Sequence, residues 1–346
     1  MFDFTATDFS TSTRHTVLSV TGGGMLGVIP AAMLARYEEL GQEAYGSEYR
    51  LCDSFDLVGG TSTGAVIATA IALGCSASEI ADFYLKDAPK VMKRRWNAIP
   101  FLHDLYKGDE MTSHFTARTQ GACLSRADLR CDLAITVKDM TNARPVLFSS
   151  LKASPARIFG VDIRSDELPL DLLMRASTAA PFLFAPVEIG GVTAVDGGMS
   201  PFGNPALLLA ELAQAGLGGH VSLTSLGTGE GRARYDRRAL QSQPAILRAI
   251  RALLSTLKDA EELTDEILRA RAADGLITYQ THDLSLDRES FKALGFEVSK
   301  REMTDIRKFG DSVGKEVLFE AARVHAARTI CEPLPLVKAI TYAAAI

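Results

Sequence analysis

Ser62, set in Gly60-Thr61-Ser62-Thr63-Gly64, is the side chain in this sequence best placed to act as a nucleophile. The pentapeptide fits G-x-S-x-G. It lies between Phe55-Asp56-Leu57-Val58, which reads as a strand, and an Ala/Ile-rich run to Leu73, which reads as a helix. A sharp strand-to-helix turn needs small neighbours and lifts the serine hydroxyl above the sheet edge. The helix start adds N–H groups and partial positive charge beside it. The same residues also describe an ordinary tight turn in which Ser62 caps the helix. Gly22-Gly23-Gly24-Met25-Leu26-Gly27 follows another strand-like run, Thr16 to Val20. Consecutive glycines let backbone N–H groups converge on one point, which suits a phosphate or the oxyanion of acyl transfer. A dinucleotide fingerprint spaces its glycines differently and needs an acid at the end of the next strand. Asp53 and Asp56 are the nearest acids, but the Ser62 turn occupies that position, so acyl transfer is the better reading. Asp196-Gly197-Gly198 adds a carboxylate at a strand end, in a loop that permits close approach to another backbone.

These loops need elements to hold them. After the first glycine run, Ile29, Met33, Tyr37 and Leu40 recur at helical spacing, with Pro30 in the first turn and Gly41 as the expected stop. Leu129 to Val137 and Pro145 to Ser149 read as strands, and Val187 to Val195 as a hairpin turning at Gly190-Gly191. Val221 to Leu226 supplies a strand before Gly227-Thr228-Gly229, and a long amphipathic helix is expected from Ala239 to Ala273. Strands alternating with helices predict an α/β fold with a mainly parallel central sheet, its loops gathered at the strands' C-terminal edge. Residues 1–14 read as a loose polar arm, 15–330 as one catalytic domain and 331–346 as a tail.

Composition sets the outer limits. The 346 residues carry 37 Lys+Arg against 42 Asp+Glu, a net charge of −5, with 47% hydrophobic residues. That is ample material for a core, and the acidic balance argues against a dedicated nucleic-acid partner, which needs a basic surface. Five cysteines without C-x-x-C spacing read as free thiols, not as disulfides or a zinc site. Met1-Phe2-Asp3-Phe4 lacks the positive region of a leader, and the longest uncharged apolar stretch, Ala65 to Cys75, is about half a membrane span. The expectation is a cytoplasmic protein that meets a membrane only from outside.

Taken together, the motifs resemble the patatin-like phospholipases. Gly22-Gly23-Gly24-x-x-Gly27 is similar to the family's oxyanion loop, Gly60-Thr61-Ser62-Thr63-Gly64 to its nucleophile elbow and Asp196-Gly197-Gly198 to its catalytic aspartate motif. Ala176 to Pro186, Asn204-Pro205-Ala206 and Ser225 to Gly229 match in order as well. The resemblance implies a three-layer sheet with helices on both faces and a Ser62–Asp196 dyad. Ser62 attacks an ester carbonyl, Asp196 takes its proton, and the oxyanion rests in a hole built from Gly22, Gly23, Gly24 and Gly27. Water then frees the fatty acid from the acyl-enzyme. The implied substrate is a membrane or micellar glycerolipid, with phospholipase A or lysophospholipase activity and no cofactor. Leu26 stands where the family usually carries Arg or Lys, and Thr21 where it often carries Asp, which leaves the head group open.

Other readings stand beside this one. Ser62, Asp196 and His220 or His282 follow the chain order of a Ser-His-Asp esterase. The same scaffold also suits a non-catalytic lipid- or nucleotide-binding module. His103, His114 and nearby acids lack metal-ligand spacing, so no metal is expected. Lys93 to Phe101 joins a basic triplet to the single Trp and to Phe101, a combination suited to an anionic bilayer. Arg232 to Arg238 is a candidate site for a small anionic activator, as in some bacterial patatin-like effectors that degrade membrane lipid under regulation. The helix from Ala239 to Ala273 is a candidate contact between copies of the chain.

Overall fold

The structure, a computed structural model, describes residues 13–91, 103–152, 157–231, 237–306 and 314–337. Its strands are β1 (Arg14–Val20), β2 (Leu57–Thr61), β3 (Asp132–Asp139), β4 (Arg144–Ser149), β5 (Arg157–Ile158), β6 (Val161–Arg164), β7 (Val187–Ile189), β8 (Val192–Asp196), β9 (His220–Leu226) and β10 (Ile277–His282). They make one mixed sheet in the order β10-β9-β1-β2-β3-β4-β6-β5, with β8 joined to β3 and β7 to β8. The five strands from β10 to β3 run parallel, and β4, β5, β7 and β8 bring in the antiparallel pairings.

The parallel strands are apolar on both faces because helices cover both. Leu18, Val20, Val58, Leu133 and Ile135 point into one core with α1 (Val28–Tyr45), α2 (Thr63–Ala72), α4 (Leu170–Ser177) and α7 (Lys315–Thr329). Between α2 and α4 in the chain, α3 (Gly108–Thr119) packs on α4. Val17, Leu57 and Ala134 point into the opposite core, against α5 (Ala206–Leu217) and the C-terminal half of α6 (Ala245–Ala273). This is the mostly parallel sheet expected from the alternation of elements, in the three layers that the family resemblance implies.

Several local expectations change. Gly41 does not stop α1, which runs on to Tyr45 and ends at Gly46, in the left-handed region at φ 101°. A Cβ at Gly41 would fall on the Tyr49 ring, so this glycine is a packing contact and not a terminator. The helix expected from Ala239 to Ala273 is two, Arg237–Ser242 and α6, separated by Pro244, which cannot donate a helical N–H. The strand expected from Leu129 starts at Asp132, and the hairpin turns at Gly190 and Gly191, both at positive φ. Past α7, Leu334 is buried and the Val337 N–H donates to Asp53 O at 3.0 Å. The five cysteines are free thiols. Among the described residues no helix is long and apolar enough to cross a membrane.

Candidate active site

Strand register brings Ser62 and Asp196 together across 134 residues of chain. β2 pairs with β3 up to Thr61 opposite Thr136 and then leaves the ladder. β8 takes over the same edge of β3 at the next residue, with Asp196 opposite Val137, while β4 occupies the other edge. The turn after β2 and the end of β8 therefore meet head-on. Ser62 Oγ donates to Asp196 Oδ2 at 2.6 Å.

The turn itself is sterically forced. Ser62 adopts φ 55°, ψ −121°, a conformation an L-residue keeps only when its surroundings impose it. Gly60 and Gly64 make this possible. A Cβ at Gly60 would overlap the Gly64 backbone, and one at Gly64 would fall on the Val20 carbonyl oxygen. The Ser62 N–H donates to Ser177 Oγ at 2.9 Å, and Ser177 Oγ donates to Thr136 O at 2.8 Å. Thr61 Oγ1 bonds Thr136 Oγ1 and donates to Phe202 O at 2.7 Å. Ser62 is thus not a helix cap: it makes no side-chain capping bond, and its hydroxyl is turned to the carboxylate.

Asp196 is buried, and its other oxygen, Oδ1, accepts the Gly198 N–H at 2.8 Å. Burial disfavours the charged form and outweighs the two hydrogen bonds that favour it, so its pKa is raised to about 6 from an ordinary 3.8. Gly197 has to be small because a Cβ there would meet Thr136 O. The Asp196 N–H donates to Ala179 O at 3.0 Å, tying the aspartate to the Ala-Ala-Pro segment that precedes the hairpin.

The glycine loop lies beside this pair on the neighbouring strand. The Gly22 N–H is committed to Gly203 O at 3.0 Å, and Gly22 O accepts from Thr228 Oγ1 at 2.6 Å. A Cβ at Gly23 would overlap the Thr228 side chain, and Gly24 sits at φ 58°. Among the described residues the N–H groups of Gly23 and Gly24 have no acceptor. Gly27 is buried where a Cβ would strike Thr63 and Tyr84, so it is a packing position. Leu26 is half-buried against the α1–α2 core.

The remaining sequence candidates lie elsewhere. His220 stands at the start of β9, the opposite sheet edge, with Nε2 2.9 Å from Thr278 Oγ1. His282 is buried with Nε2 2.8 Å from Tyr37 Oη. Asp56 pairs with His15 at 3.4 Å at the start of β1, and Asp53 accepts the Arg50 N–H at 2.9 Å. Among the described residues no cluster of His, Cys, Asp and Glu is arranged to hold a metal ion. Lys93 to Phe101 and Arg232 to Asp236 lie outside the described residues. Ser177 and Thr228 lie in runs that match the family and Thr136 in an expected strand, but a hydroxyl that holds a backbone group carries no signature of that role.

A groove of about 490 Å³ begins four residues along α2 from the serine, apolar on one side and bordered by Glu79, Asp82, Lys86, Asp87 and Arg118 on the other. Val66 and Ala70 of α2, Phe83, Phe115 of α3 and Met174 of α4 line it. Val66 is four residues beyond Ser62 and Met174 three before Ser177, so each shares a helix face with a residue of the site.

A layered α/β sheet with a serine on a strained strand–helix turn defines a class of hydrolase-like scaffolds. Within it, this chain belongs to the patatin-like phospholipase family, whose model matches residues 18–210. It is 30% identical over 216 residues to patatin-like protein 2 of Arabidopsis thaliana, covering 56% of this chain and 51% of that protein. It is 29% identical over 215 residues to patatin group M-3 of Solanum tuberosum, covering 57% and 53% of the two chains. The aligned region thus spans about half the length of these plant relatives. Among solved structures, VipD from Legionella pneumophila aligns over 90% of this chain and 67% of its own, with 12% identity and a TM-score of 0.34.

Proposed function

We propose that this protein is a lipid acyl hydrolase of phospholipase A or lysophospholipase type, working through Ser62 and Asp196. The observation that carries the reading is the 2.6 Å hydrogen bond from Ser62 Oγ to a carboxylate that burial has made more basic. As Ser62 Oγ bonds to the ester carbon, its proton passes to Asp196 Oδ2. The carbonyl oxygen becomes an oxyanion facing the N–H groups of Gly23 and Gly24, with Gly22 and Gly27 shaping the loop rather than donating. Collapse breaks the ester bond, and the leaving alcohol takes the proton from Asp196. Water then attacks the acyl-enzyme, giving its proton to Asp196, and the free fatty acid departs as Ser62 is reprotonated. The apolar side of the groove, with Val66, Phe83, Phe115 and Met174, accommodates the acyl chain, because it begins four residues along α2 from the nucleophile.

Ser62→Ala tests this. Hydrolysis of p-nitrophenyl esters and of phospholipid vesicles falls by about a thousandfold or more, with the melting temperature little changed. Turnover at the parent rate contradicts the assignment. A parent protein that binds lipid without cleaving any ester favours the binding-module reading.

A further inference from the structure

Apolar side chains of α6 change their surroundings halfway along the helix. In the C-terminal half, Thr264 and Leu268 are buried against the body. At helical spacing the same face continues back through Leu257, Leu254, Leu253, Ile250 and Ile246. There the described residues cover it only in part: Ile246 is 54% exposed, Leu253 44% and Leu254 54%, while Ile250 and Leu257 are half-buried. Isolated exposed leucines are ordinary, but a continuous stripe that leaves the core along one helix marks a surface with a partner.

Charge selects the partner. From residue 237 to 257 the sequence holds Arg237, Arg238, Arg248 and Arg251 and no Asp or Glu, in a chain whose net charge is −5. Arg238 and Arg248 are exposed, Arg248 on the face away from the stripe with its Nη1 donating to Gln243 O, and Arg251, half-buried, flanks the stripe with its Nη1 donating to Gln243 Oε1. An apolar stripe on one face of a helix that carries arginine on its flank and on its polar face suits the boundary between anionic head groups and acyl chains, where leucines enter the hydrocarbon and guanidinium groups reach phosphate. A purely electrostatic partner would leave the leucines unused.

Position adds a third argument. α6 ends at Ala273, and β10 begins at Ile277 parallel to β9 and β1, so α6 runs antiparallel to the strands. Its N-terminal half therefore stands at the strands' C-terminal edge, the edge that carries Ser62, Asp196 and the glycine loop. Lys258 and Glu261, at the middle of the helix, share a cavity with Thr21 and Thr228 at that edge. The stretch from Ala245 to Leu257 rises about 20 Å at 1.5 Å per residue.

We infer that the N-terminal half of α6 is a docking helix for an anionic lipid bilayer, laying its Ile246–Leu254 stripe into the interface next to the sheet edge that carries the site. The choice of a bilayer rests in part on the lipid-hydrolase reading, so the test separates the two. Sedimentation with vesicles of phosphatidylcholine, with and without phosphatidylglycerol, is measured for the full chain carrying Ser62→Ala, so that lipid is not consumed. The same chain is then studied with Leu253→Ser/Leu254→Ser or Arg248→Gln/Arg251→Gln. Binding is expected only when phosphatidylglycerol is present, and each double variant weakens it at least about tenfold. The double variants in the Ser62 background keep the parent's turnover of a soluble ester and its melting temperature. Failure of the parent to bind anionic vesicles, or binding that survives both variants, overturns the docking helix. So does a dimer in solution that Leu253→Ser/Leu254→Ser dissociates, which makes the stripe a contact between copies. Loss of ester turnover in the unmutated protein strikes the hydrolase reading alone and leaves the vesicle result standing.

Discussion

Two strand-to-helix turns stand side by side at the C-terminal edge of the sheet, and they expose opposite things. The turn from β2 into α2 is closed on itself: Gly60 touches Gly64, Gly64 touches Val20, and the strain goes into Ser62, whose side chain is driven outward. The turn from β1 toward α1 has no such side chain. Thr228 and Gly203 hold the Gly22 carbonyl and amide, and the amides of Gly23 and Gly24 have no acceptor among the described residues. One turn presents a hydroxyl, the other a pair of backbone donors. Acyl transfer needs both on one carbonyl group: a nucleophile at the carbon and positive dipoles at the oxygen. The difference teaches that glycine spacing is meaningful only with its neighbours. Gly60 and Gly64 serve close packing, whereas Gly23 serves access to a threonine.

Breaking the first turn's partnership has the largest effect. Asp196→Asn keeps the shape and an acceptor for the Gly198 N–H but removes the base, so kcat/KM for a soluble ester falls by about a thousandfold. The same substitution has a signature in stability. A carboxyl whose folded pKa is raised to about 6 from 3.8 contributes stability that is fully present below the lower value and lost as pH rises through the higher one. Asp196→Asn escapes that loss, so its melting temperature exceeds the parent's at pH 8 and the gap closes toward pH 4. A variant less stable than the parent at pH 8 contradicts the buried, raised carboxyl.

Breaking the second turn costs less. In Gly23→Ala the new methyl meets Thr228, which moves the loop and misaims one donor. The expected loss in kcat is about a hundredfold, the scale of a single oxyanion donor, with a smaller change in KM. Equal loss in binding and turnover would point to general collapse of the loop. Thr228→Val is gentler still. It removes the hydrogen bond to Gly22 O and keeps the shape, so about tenfold in kcat is expected, together with a modest loss of stability. Parent-like turnover for Thr228→Val would show that the loop holds itself.

The comparison also explains what was legible in the sequence. Ser62, Asp196 and the glycines are visible because steric demand at a turn leaves few residue types, and the hairpin is visible for the same reason at Gly190 and Gly191. The buried strands β1, β2 and β9 show as apolar runs. What could not be read is the register on β3, the feature that places Asp196 one residue past the end of β2. Nothing in Asp132–Asp139 states which strand takes over which edge. Ser177, Thr136 and Thr228 escape notice because each acts on a backbone group supplied by another element. β5 and β6 are too short for periodicity to register, and β10, with Thr278, Gln280 and Thr281, carries too little apolar signal. Gly41 misleads because glycine that admits a ring and glycine that ends a helix look alike until Tyr49 is placed against it.

The central claim is that Asp196, and no histidine, activates Ser62. It is tested most directly by the rate at which a fluorophosphonate labels the protein, followed across pH for the parent, Asp196→Asn and His282→Ala, with the adduct mapped by mass spectrometry. The expected result is an adduct on Ser62 and a labelling rate that rises with pH through about 6 in the parent and in His282→Ala. Asp196→Asn labels about a thousandfold more slowly and loses that step. An adduct on another residue, or a step near pH 6 that survives Asp196→Asn and vanishes with His282→Ala, contradicts it.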